Sequence, residues 1–90
     1  MKEQEIFSKN LILSTEFDRY VIEHPEFAEK IPQNAQIVLL PEDDPELSQK
    51  NIEIAKVQCE PGQPVVYVYV EKVAPQVSRL VNPRIEIEAA

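Results

Sequence analysis

Two short runs in this chain, Gln36-Ile37-Val38-Leu39-Leu40 and Pro64–Val70, are apolar at consecutive positions rather than at every second one. Strands with one wet face alternate, whereas strands covered on both faces read as continuous apolar runs. In the second run Val66, Val68 and Val70 share one face, and Val65, Tyr67 and Tyr69 the other. Between the runs stands Asp44-Pro45, an aspartate suited to cap free amides followed by a proline suited to the first helical turn. The helix it opens should run to about Cys59, where Pro61-Gly62 stops it. Strand, helix and strand in that order imply a right-handed crossover between two parallel strands.

The flanking segments are simpler. From Lys2 to Val21, the residues Ile6, Asn10, Leu13, Phe17 and Val21 recur at steps of three or four, which places them on one helical face. Ser14 and Thr15 interrupt the run, and Thr15-Glu16-Phe17-Asp18 has the form of a helix start, so one helix or two would fit. Pro25–Lys30 is a further short turn, closed by Pro32. Val73–Pro83 reads as a loop or irregular edge. Arg84-Ile85-Glu86-Ile87-Glu88 alternates and is expected to be a half-buried edge strand. The whole chain, residues 1–90, is expected to be a single α/β (or α+β) domain. It should have N-terminal helices, a parallel strand-helix-strand unit and a C-terminal edge strand, in two to three layers.

Charge and rare residues exclude several functions. Sixteen acidic and nine basic residues give a net charge of −7, with no basic stripe, so direct nucleic-acid binding is disfavoured. A basic partner protein is compatible with that charge, as is mere solubility. Cys59 is the only cysteine, which rules out an intrachain disulfide and a cysteine-rich zinc site. Neither a signal-like start nor a membrane-length apolar run is present, and the expected location is the cytoplasm. Gly62 is the only glycine, so no phosphate-cradling loop, dinucleotide fingerprint or nucleophile elbow can form.

Candidate residues remain, each with a structural alternative. Glu42 and Asp43 follow the first strand and Glu71 the second, where ligands of open α/β sheets gather, and together they could hold a hard cation such as Mg²⁺. Apart from that Mg²⁺, no cofactor is expected. The alternative is that Asp44 caps the helix while its acidic neighbours complement the dipole. Asn10 and Asn51 each interrupt an apolar helical stripe, and buried amides of this kind bond backbone and fix register. Tyr67 and Tyr69 suit a protein interface, together with Leu11 and Ile12, which point away from the N-terminal stripe. His24 is expected near a helix end, over free carbonyls or in water, and Cys59 as a small buried apolar residue.

Three phrases carry a resemblance. They are Asn10-Leu11-Ile12-Leu13-Ser14-Thr15-Glu16-Phe17-Asp18-Arg19-Tyr20, then His24-Pro25-Glu26, then Leu39-Leu40-Pro41-Glu42-Asp43-Asp44-Pro45-Glu46-Leu47 followed by Asn51. Across roughly residues 8–72 the chain resembles a small family of prokaryotic single-domain proteins of unknown function. The resemblance implies a bacterial or archaeal cytoplasmic source and carries no activity with it. The residues themselves suggest first a non-enzymatic interaction or regulatory module that self-associates, most simply as a homodimer. A small divalent-metal protein using Glu42, Asp43 and Glu71 is the second reading. The third is the acidic partner of a basic protein, as in a toxin–antitoxin pair.

Overall fold

The computed structural model describes residues 1–88. In chain order they form α1 (Glu3–Glu23), α2 (Pro25–Ala28), β1 (Gln36–Pro41), α3 (Pro45–Gln58) and β2 (Val65–Val70). The strands pair in parallel, in a register running from Gln36 opposite Val65 to Pro41 opposite Val70. Parallel pairing requires a crossover, and α3 supplies it. It starts where Asp44-Pro45 places it and ends one residue before Cys59.

Register decides the faces, because residues directly opposite one another point the same way. Val38 and Leu40 therefore share a face with Tyr67 and Tyr69, while Ile37, Leu39 and Pro41 share the other with Val66, Val68 and Val70. α3 covers the first face over β1, where Val38, Leu40 and Ala55 form a buried cluster with Ile52 against it. On the second face, Leu13, Phe17 and Phe27 of the N-terminal helices line a cleft with Val68 and Val70. Helices, sheet and helix make three layers.

α1 is one continuous helix through Ser14 and Thr15. Both hydroxyls donate back to the Leu11 carbonyl, Thr15 Oγ1 at 2.7 Å and Ser14 Oγ at 3.2 Å. Back-bonding of this kind lets the helix continue where the sequence offers a cap. At its end α2 folds back on aromatic contacts, with Phe27 edge-on to Tyr20 at 5.1 Å and to Phe17 at 6.4 Å. No helix among the described residues is long and apolar enough to cross a membrane.

The expected edge strand Arg84–Glu88 is not formed: among the described residues the sheet has two strands. An alternating pattern specifies which side of a strand is apolar but supplies no partner for its backbone. Here the chain turns away after β2, and Val73–Gln76 run beside Ile12 and Arg19 of α1. From Val77 onward every described residue is exposed. That tail stretches the molecule to 67 Å and its radius of gyration to 18.2 Å, against about 12 Å for a compact chain of this length.

Candidate functional site

The turn after β1 carries the acidic cluster, and Asp44 is its most engaged member. One carboxylate oxygen accepts the Leu47 amide at 3.2 Å, and the other accepts Lys9 Nζ of α1 at 2.8 Å. Asp44 thus caps α3 and ties it to α1. The Lys9 hydrogen bond, then the Leu47 amide, hold its carboxyl below the usual aspartate value; the same hydrogen bond raises Lys9. A carboxyl depressed by folding stabilises the fold fully above its unfolded value near 3.8, and that contribution is lost as pH falls through the folded value.

Asp44→Ala is accordingly expected to lower the melting temperature by roughly 4–8 °C at neutral pH. The gap from wild type should narrow below pH 4, and any response to Mg²⁺ should be unchanged. Melting curves across pH check this, and equal melting temperatures at pH 7 would remove the cap from the account.

Glu42 and Asp43 stand exposed in the same turn, and Glu71 is exposed just past β2. The strand ends are adjacent, since the Glu42 amide donates to the Val70 carbonyl at 2.7 Å. Even so, no group of three acidic, histidine or cysteine side chains gathers to hold a metal ion among the described residues. His24 ends α1 with its Nδ1 2.9 Å from the Tyr20 carbonyl and its ring stacked on Tyr20 at 3.9 Å. Cys59, half-buried, follows the last turn of α3.

A polar seam joins α1 to α3. Asn51 is 8% exposed, and its Nδ2 donates both to the Leu39 carbonyl at 2.8 Å and to Asn10 Oδ1 at 3.0 Å. Asn10 Nδ2 returns a bond to Asn51 Oδ1 at 2.8 Å. The Leu39 carbonyl fixes which way the Asn51 amide points, because its oxygen there would face another oxygen.

This seam also caps part of one edge of the sheet. Along a parallel strand, alternate residues turn their backbone groups to opposite sides. The Gln36 and Glu42 amides bond Pro64 and Val70, so Ile37, Leu39 and Pro41 face outward. Asn51 bonds the outward Leu39 carbonyl, Ser48 Oγ bonds that of Pro41 at 2.8 Å, and Pro41 has no amide. By contrast, β2 is paired on one side only, leaving the backbone groups of Val65, Tyr67 and Tyr69 directed outward without a strand beside them. Tyr67 and Tyr69 are 51% and 70% exposed. The cause is placement, since α3 lies over β1 and the tyrosines stand beyond it.

Leu11 and Ile12 are exposed on α1, but the structure does not gather them with the tyrosines. Leu11 lines a groove of about 300 Å³ along the outer edge of β1 with Phe7 and Ile54, while Ile12 faces Val73–Gln76. Sequence reasoning missed two contributors, Lys9 and Ser48. Ser48 carries a usable signal, as a hydroxyl in the first turn after a strand. The pairing of Lys9 with Asp44 spans 35 positions and has none.

These features define a small three-layer α/β fold with one sheet edge partly capped by side chains and one open edge. The chain belongs to a family of unknown function (DUF5647), whose model matches residues 5–83. No curated protein and no solved structure matches it.

Proposed function

We propose that the protein is a non-enzymatic cytoplasmic interaction module that works as a homodimer, with β2 as the centre of its contact. The supporting observation is the open β2 edge, flanked by exposed Tyr67 and Tyr69. An unpaired strand rich in valine and tyrosine is a template for another strand, and isolated domains usually blunt such edges with charge or proline. Tyrosine adds a wide apolar ring and a hydroxyl, which suits a contact that forms from water. A second copy of the chain is the simplest partner, because closed two-fold arrangements are the commonest among identical subunits.

Light scattering is expected to give twice the chain mass, little changed between low and high salt. Tyr69→Lys should weaken the dimer at least tenfold, since a charge on an edge strand opposes pairing. Because Tyr69 is exposed, the variant should keep the wild-type circular dichroism. A monomer at high protein concentration, or binding only to a basic protein and only at low salt, would overturn the proposal.

A further inference from the structure

We propose that residues 84–88 of one copy add as a third strand to the open β2 edge of a second copy, so that two chains exchange their C-terminal segments. This rests on the homodimer reading and names the element that makes it. Arg84-Ile85-Glu86-Ile87-Glu88 has the alternation of a strand with one apolar face, yet its two isoleucines are 88% and 90% exposed. Val77, Leu80 and Val81 earlier in the tail are also exposed. Aliphatic side chains at this density on a projecting segment lack the cover that a strand pattern calls for.

The open edge and the tail match in chemistry. β1 is the poorer acceptor, because Asn51 and Ser48 already bond two of its three outward carbonyls, those of Leu39 and Pro41, and Pro41 offers no amide. β2 is the better one. Beside it lies a cleft of about 350 Å³, lined by Phe17, Tyr20, Phe27 and Val68, by Val73 and Ala74 at one end, and by no residue of β1. A strand added there would turn Ile85 and Ile87 into this cleft and continue the Val66, Val68, Val70 face. Arg84, Glu86 and Glu88 would lie on the tyrosine face, in water. The tail's own β2 edge is the poorer target, because Val73–Gln76 lead the chain away from β2, along Ile12 and Arg19 of α1. Residues 77–88, extended, reach about 40 Å, enough to cross to a neighbour. Each copy then offers one open edge and one unplaced strand, and a two-fold exchange satisfies both without remainder.

The test pairs two variants of the full chain. Ile85→Asp/Ile87→Asp spoils the tail and keeps the edge, and Tyr69→Pro does the reverse, because it removes an outward amide of β2 that β1 does not use. Each alone should be at least tenfold weaker as a dimer by light scattering, with unchanged circular dichroism. Mixed together they should form a heterodimer, since the intact tail of one meets the intact edge of the other. If the tail variant dimerises like wild type while Tyr69→Pro does not, the exchange is overturned and β2 pairs by another route. If wild type is itself a monomer, with Ile85 and Ile87 amides either protected or free, both the exchange and the homodimer fall.

Discussion

Asn51→Leu is expected to lower the stability of the fold by about 2–4 kcal/mol, read as a shifted urea midpoint at constant slope. The substitution removes three hydrogen bonds at once and leaves the Leu39 carbonyl without its donor. An unpaired buried polar group costs about 1–3 kcal/mol, and the Asn10 amide adds to this to the extent that water cannot reach it. A chain of this length has a total stability of about 5–13 kcal/mol, so the loss is a large share. Asn10→Ala should cost less, because Asn51 keeps its bond to Leu39. The two substitutions should be strongly non-additive in a double-mutant cycle, as expected for side chains in one network. A leucine variant as stable as wild type would show that the seam contributes nothing net.

Leu47→Ala should be comparably severe, at about 2–5 kcal/mol. Leu47 is the most enclosed large side chain, 2% exposed, in the first turn of α3. Its deletion leaves the backbone amide that Asp44 caps, so the loss reports packing and not the cap. It should exceed that of Asp44→Ala in the same denaturant series. A change below about 1 kcal/mol would mean that the surrounding side chains collapse into the space.

Which parts of the fold were legible depends on whether their causes are local. The β1–α3–β2 unit was, because its punctuation is local chemistry: a capping aspartate, a proline that fits only a first turn, and a proline–glycine stop. The α1 stripe was as well, and Leu13 at its centre is buried. Thr15 shows the limit of such signals, since its hydroxyl can cap a new helix or bond back within an old one, and only packing chooses. Arg84–Glu88 shows another limit. Its alternation is genuine, but the sequence says nothing about whose edge it meets. The same holds for the seam: the place of Asn51 in a stripe is visible, whereas its partner 41 positions away is not.

The cap at α3 has one further consequence. In α/β domains that hold phosphate, the oxyanion sits on free amides in the first turn of a helix that follows a parallel strand. Here the chain fills that seat itself. The Asp44 carboxylate takes the Leu47 amide, the Asp44 carbonyl takes the Ser48 amide, and Pro45 has none to give. Lys9 is bound to the same carboxylate, and the N-terminal ammonium is bound to Glu46. Glu42, Asp43 and Glu46 surround the turn with further negative charge. The fold therefore carries its own built-in counter-anion at the position where it would otherwise recruit one.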